Sequence, residues 1–73
     1  MFQGIFSKEY IGKKIFNIRK DNNLSVDNFA KAINVTNRTV KAWEAGNNVP
    51  TLHNIVGICN NFHVTLESFI LYK

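Results

Sequence analysis

Cysteine, proline and long apolar runs are scarce or missing in this 73-residue chain, and each shortage excludes a class of protein. A single cysteine, Cys59, cannot form an internal disulfide, so packing alone must hold the fold, which fits a reducing compartment. No apolar run approaches the roughly 20 residues that cross a bilayer. Residues 1–10 lack the basic start, apolar stretch and small-residue cleavage site of a secretory signal. We therefore expect a cytoplasmic protein with no membrane partner.

The chain is short, yet its composition can fill one core. A domain of this size buries only about 60% of its unfolded surface. With 45% hydrophobic residues, six Phe and one Trp, it lacks the low hydrophobicity of disordered proteins. We expect residues 1–73 to form one globular domain.

Basic charge is concentrated in the first half of the chain. The formal net charge is +4 and the pI is near 9.5. Residues 1–41 carry eight Lys and Arg against three acidic residues, a net of +5, whereas residues 42–73 carry one Lys against two Glu, a net of −1. This asymmetry suggests a polyanionic partner.

The apolar spacing predicts five short helices and no strand. Ile11, Ile15 and Ile18 recur on one face of a first helix that ends near Asp21. The second helix is predicted over Val26 to Ile33 and the third over Asn37 to about Ala45. The fourth helix is expected to bury Leu52, Ile55, Val56, Cys59 and Phe62, and the fifth contains Leu66, Phe69 and Ile70. A residue that can cap the helix precedes each one: Ser7, Ser25, Thr36, Thr51 and Thr65.

The connection between helices two and three is very short. Ile33, Asn34 and Val35 leave only a three-residue turn, so the two helices must meet at a steep angle, as in a helix-turn-helix. Asn34 stands where the chain needs a positive φ, which Asn tolerates better than most residues. Asn22-Asn23 and Gly46 are expected to end helices one and three in the same left-handed way.

The third helix begins with a cluster of long hydrogen-bonding side chains. Asn37, Arg38 and Lys41 share one side, while Val40 and Trp43 point the other way. Arg can donate two hydrogen bonds to guanine, and Asn can pair with adenine; each such pair discriminates by about 1–3 kcal/mol. The alternative interpretation is a merely solvated helix face. Trp43 is expected in the core and not as a base-stacking residue. The same is expected of Phe29, Phe62 and Phe69.

Three segments, IGKKIFNIRK, LSVDNFAKAINVTNRTVKAWEAGNNVP and TLHNIVGICNNFHVTLESFI, together resemble the Cro/repressor-like, or XRE, helix-turn-helix family. The Leu-Ser start, the turn, Trp-Glu, Gly, Pro and the Val-Thr-Leu ending appear in order between Ile11 and Ile70. The resemblance implies a compact five-helix, all-α domain whose helices two and three form the helix-turn-helix. Its third helix would enter the DNA major groove while helix two lies across the backbone.

The resemblance also implies roles for individual residues. Asn37, Arg38 and Lys41 would read bases, and Ala42 would touch a thymine methyl. Arg19 and Glu44 would form a salt bridge that orients helix three, the alternative being two solvated charges. Val26 replaces a Gln that commonly contacts phosphate, so only the N–H groups at the start of helix two remain for that contact. The expected phosphate contacts are Ser25, Val26, Thr36, Thr39, Asn47 and Asn48.

These features favour a sequence-specific transcriptional regulator of double-stranded DNA, most simply a prokaryotic or phage repressor without a cofactor. The apolar residues Phe69, Ile70 and Tyr72 suggest a homodimer on a near-palindromic operator. The alternatives are an antitoxin or restriction-controller protein acting with a protein partner, or an interaction module that has lost DNA binding. Neither metal-ligand spacing nor catalytic motifs are present, although His53, Cys59, His63 and Glu67 supply suitable residue types.

Overall fold

A computed structural model of the chain, which describes residues 7–70, contains five helices. Of Ile70, the last of these residues, only the backbone is described. No strand occurs within this range, and the predicted all-α fold is confirmed. None of the helices in the described part of the chain is long and apolar enough to span a membrane. The helices are α1 (Lys8–Asp21), α2 (Val26–Ala32), α3 (Asn37–Glu44), α4 (Leu52–Phe62) and α5 (Leu66–Ile70).

A side-chain hydroxyl caps each helix at its N-terminus, as predicted. In every case the hydroxyl oxygen accepts a hydrogen bond from the backbone N–H three residues later, which satisfies a donor that the helix leaves unpaired. The second and third helices end one residue earlier than expected, at Ala32 and Glu44. The five capping pairs are Ser7 with Tyr10, Ser25 with Asn28, Thr36 with Thr39, Thr51 with Asn54, and Thr65 with Ser68.

Residues in the left-handed conformation reverse the chain after the first three helices. Asn23, Asn34 and Gly46 have φ values of 57°, 61° and 77°. After α2, the N–H of Val35 donates to the carbonyl of Ala30 at 3.0 Å, which is the Schellman pattern that ends many helices. The predicted turn between α2 and α3 is thereby confirmed. A fourth such residue, His63 (φ 56°), follows α4 and was not predicted.

The core draws buried side chains from all five helices. Phe29, Ile15, Val40 and Ile58 are fully buried, and the rings of Phe29 and Phe62 stack with centroids 5.0 Å apart. The Tyr10 hydroxyl also donates to the Ser68 carbonyl at 3.2 Å, which ties α5 to α1. The buried set is Ile11, Ile15, Ile18, Phe29, Ala30, Val40, Trp43, Ile58, Cys59 and Phe69.

The buried face of α4 differs from the predicted one. Leu52 is 67% exposed and Val56 is 40% exposed, whereas Ile58, which we had not assigned to the core, is 0% exposed. The inward stripe runs through Ile55, Ile58, Cys59 and Phe62, with Ile55 and Phe62 only partly buried. Apolar residues surround most of this helix, so periodicity alone could not decide which of two overlapping stripes faces the core.

Helices α1 and α3 approach each other closely at Gly12. A Cβ atom added to Gly12 would lie 2.2 Å from the backbone carbonyl oxygen of Trp43. Gly inside a helix is destabilising by about 0.5–1 kcal/mol relative to Ala. The absence of a side chain therefore serves the contact between the two helices, and it sets how close α3 lies to α1.

We predict that Gly12→Ala destabilises the fold by about 1–3 kcal/mol, because the gain in helix propensity is outweighed by overpacking against a backbone atom that cannot rotate away. Urea unfolding would measure the change. Gly57→Ala is the matched control, since an added Cβ there meets nothing within 4 Å. It should stabilise the protein by up to about 1 kcal/mol. Equal or greater stability of Gly12→Ala would contradict the close approach.

Candidate nucleic-acid interface

Helix α3 has one face in the core and one in solvent. Val40 and Trp43 are 0% and 2% exposed, so Trp43 is a core residue, as predicted, and cannot stack on bases. Arg38 and Lys41 are exposed, and Asn37 and Ala42 are half-buried. The start of the helix therefore carries polar groups outward, while its apolar face is anchored.

Arg38 and Lys41 extend their charges into solvent. Within residues 7–70 neither side chain forms a hydrogen bond or an ion pair. Their donors are consequently free to meet acceptors from outside the protein. An Arg guanidinium presents its N–H groups in a planar fork, and a Lys ammonium presents three rotatable donors.

Asn37 has a partner within the protein. Its Nδ2 donates a hydrogen bond to Oδ1 of Asp27, in the first turn of α2. This contact joins the starts of α2 and α3 across the turn. Asp27 was not among the predicted site residues, because nothing in its spacing from Asn37 indicates a contact between two different helices.

Arg19 and Glu44 form a two-pronged ion pair between α1 and the last residue of α3. Nε of Arg19 lies 2.8 Å from Oε2 of Glu44, and Nη2 lies 3.0 Å from Oε1. Nη1 donates to the Leu24 carbonyl at 3.0 Å. Both charged side chains are only 13% exposed. The hydrogen bond to Glu44 raises the pKa of Arg19 above its ordinary value, against the opposing effect of desolvation.

The hydroxyl groups near the start of α3 are partly engaged. Thr36 Oγ1 accepts from the Thr39 N–H at 3.1 Å and lies 2.8 Å from the Thr39 hydroxyl. One of the two hydroxyl protons is used in that contact, and the other is left for an outside acceptor. Ser25 accepts from the Asn28 N–H at 3.1 Å and likewise keeps its proton.

The three other residues predicted to contact phosphate differ in accessibility. The Val26 side chain is half-buried and packs on the core, so only its backbone N–H can face a phosphate. Asn47 and Asn48 are exposed in the loop after α3. They line an open cleft together with Lys8 and Thr51.

A family model described as helix-turn-helix matches residues 15–69, which include α2, the turn, α3 and nearly all of the core. The chain belongs to this helix-turn-helix family. It is the Cro/repressor-like, or XRE, type that the sequence motifs resemble, and the family consists of DNA-binding regulators and not of enzymes. No curated protein and no solved structure showed significant similarity to the chain.

One expected dimer contact of this helix-turn-helix protein needs correction. Phe69 is 3% exposed and belongs to the protein's own core, so its side chain offers no surface to a second copy. On a helix as short as α5, burying Phe69 is needed to hold the helix against the domain. The Ile70 side chain and Tyr72 lie outside the described residues.

The residue types considered for a metal site in this helix-turn-helix protein are dispersed. Cys59 is buried, and burial raises the pKa of its thiol, whereas His53, His63 and Glu67 are exposed. Between residues 7 and 70 no three His, Cys, Asp or Glu side chains are grouped to hold an ion. The thiol is therefore part of the packing.

Three contacts of this helix-turn-helix site were missed in the sequence. For Gly12, at the contact between α1 and α3, the sequence offers no indication beyond the presence of a Gly within a helix. The Leu24 carbonyl that Arg19 binds is a backbone atom, so no residue type in the sequence could indicate this contact. Asp27 is an acidic residue in the first turn of a helix, where a favourable interaction with the helix dipole already explains it.

We predict that Arg19→Met lowers the free energy of unfolding by about 2 kcal/mol, because Glu44 would keep a largely buried charge without its partner. DNA affinity should also fall, since the end of α3 is no longer fixed. The double variant Arg19→Met, Glu44→Leu is the control, and it should recover part of the stability. Thermal unfolding and DNA titration measure both effects. If Arg19→Met alone matched wild type in both stability and DNA affinity, an orienting role for the ion pair would be contradicted.

Proposed function

We propose that this protein is a sequence-specific regulator of transcription that represses by occupying double-stranded DNA, with the whole chain acting as one DNA-binding domain. The membership of the family supports DNA binding. The observation that carries the proposal further is the exposed, unpartnered pair Arg38 and Lys41 on the outer face of α3. Repression of this kind requires binding only, and no chemistry.

In the proposed complex the first turns of α3 enter the major groove, whose width of about 12 Å admits a helix. Arg38 donates to guanine O6 and N7, and Asn37 pairs with adenine. Lys41 adds a second donor one turn along, and Ala42 contacts a thymine methyl. Helix α2 lies across the sugar-phosphate backbone. The net charge of +4 favours association with any duplex, and the base contacts select among duplexes.

Phosphate contacts would fix the register of α3 in the groove. The free hydroxyl proton of the Thr36–Thr39 pair, the Ser25 hydroxyl and the Val26 N–H are proposed to donate on the side of α2. The Asn47 and Asn48 amides are proposed to donate on the other side. Such contacts position a protein on DNA but carry no sequence information of their own.

We further propose that the protein acts as a homodimer on a near-palindromic operator, with half-sites about 34 Å apart, or one helical turn. Exposed apolar side chains on α4, Leu52 and Val56, support association with another chain. If purification yields a different polypeptide bound to this surface, the antitoxin or restriction-controller function is favoured instead.

Selection of duplexes from a random library, at one fixed salt concentration, tests the function. Wild type should enrich a defined motif. Arg38→Ala should lose the preference for one guanine, worth about 1–3 kcal/mol of discrimination. Lys13→Ala is the control for charge alone, because Lys13 lies on α1 beside Gly46, at the opposite end of α3. The Lys13→Ala variant should bind all duplexes more weakly by the same factor and should still select the wild-type motif.

The selection distinguishes the candidate functions. Enrichment of no sequence would favour an interaction module that has lost DNA binding. An unchanged motif with Arg38→Ala would show that α3 does not read bases through this residue. Either result would contradict the proposed mode of recognition.

A further inference from the structure

We infer that Asp27 determines base specificity by orienting the Asn37 amide, so that this site prefers adenine over guanine. The inference rests on the proposed function and assigns a role to a residue that makes no base contact itself. The observation behind it is the hydrogen bond from Asn37 Nδ2 to Asp27 Oδ1, between the first turns of α3 and α2.

The Asp27 carboxylate lies where its negative charge disfavours the binding of a polyanion. Asp27 is exposed, and no Lys or Arg within residues 7–70 forms an ion pair with it. Its negative charge lies beside the residues that would face DNA and lowers affinity for every sequence alike. A group that weakens binding uniformly can still improve recognition if it makes a neighbouring base reader more selective.

An ionised carboxylate accepts hydrogen bonds and donates none. The Asn37 amide must therefore turn its NH₂ group toward Asp27, because the flipped orientation would bring two oxygens together. The Oδ1 atom then points away from the carboxylate. One amide N–H is occupied by Asp27, and the other N–H remains with Oδ1 for an outside partner.

That remaining pair of groups matches adenine. Adenine presents the N7 acceptor beside the N6 donor, so it needs one N–H and one oxygen from the amide. Guanine presents two acceptors, N7 and O6, and would require both N–H groups. Because Asp27 occupies one of them, the amide cannot satisfy guanine fully. Fixing the orientation before binding also lowers the entropic cost of forming the adenine contact.

A double-mutant cycle tests this role on the duplex that wild type selects from the random library. The position read by Asn37 is the one whose base preference disappears in Asn37→Ala. At that position wild type should favour adenine over guanine by roughly fivefold to 150-fold. Asp27→Ala should reduce this ratio about threefold or more while raising affinity for all duplexes. In the Asn37→Ala background, Asp27→Ala should leave the ratio unchanged.

Glu67→Ala is the matched control, since it removes another exposed acidic side chain, from α5. It should leave the adenine-to-guanine ratio at the wild-type value. Thermal unfolding of each variant confirms that the fold is retained, and the ratio itself does not depend on the fraction of folded protein.

Four results would overturn the inference. In the first, Asp27→Ala raises affinity uniformly with an unchanged ratio, so that only charge is involved. In the second, Asp27→Ala removes a preference for cytosine in both backgrounds, which would make Asp27 itself a reader of the cytosine N4 group. In the third, Asn37→Ala alters no base preference, so that Asn37 reads no base, while the proposed recognition of guanine by Arg38 is unaffected. Failure of wild type to select any duplex is the fourth, and it removes the proposed function together with this inference.

Discussion

The attachment of α3 to α1 is the constraint on which the rest of the structure depends. At Gly12 the two backbones come close enough to exclude even a methyl group. About two turns further along α1, Arg19 binds both oxygens of Glu44 and the carbonyl of Leu24. A single guanidinium thus joins α1, the turn that follows it and the end of α3. Such a pair contributes more to the pose of α3 than to net stability, because desolvation offsets much of the attraction.

This attachment divides α3 into two parts with different roles. Its apolar face belongs to the core through Val40 and Trp43, and its last residue, Glu44, is paired with Arg19. Its first turn carries the Thr36 cap and the contact between Asn37 and Asp27. The first turn can therefore carry Arg38 and Lys41 outward on a rigid support, and a site on a helix held from behind is positioned more precisely than one on a loop.

Much of this architecture could be predicted because it depends on local interactions. A hydroxyl cap, an apolar period and a left-handed Asn or Gly act within a few residues, so they predicted the turns after α1, α2 and α3, and the ends of these helices to within one residue. The buried side of α4 depends on which helix packs opposite, and the sequence does not contain that information in readable form. The same holds for Gly12 and for Asp27, whose roles arise only when two helices meet. For Arg19 and Glu44 the resemblance to the family, and not the local pattern, supplied the contact.

The most direct test of the account is an NMR titration of isotope-labelled protein with the selected duplex. The account predicts the largest shift changes in the backbone amides of Asn37 to Ala42 and in the Arg38 side chain. The amides of α5 should change little. If the largest changes lie on α4 and α5 while the start of α3 is unaffected, then α3 does not form the DNA-reading surface, and the account is contradicted.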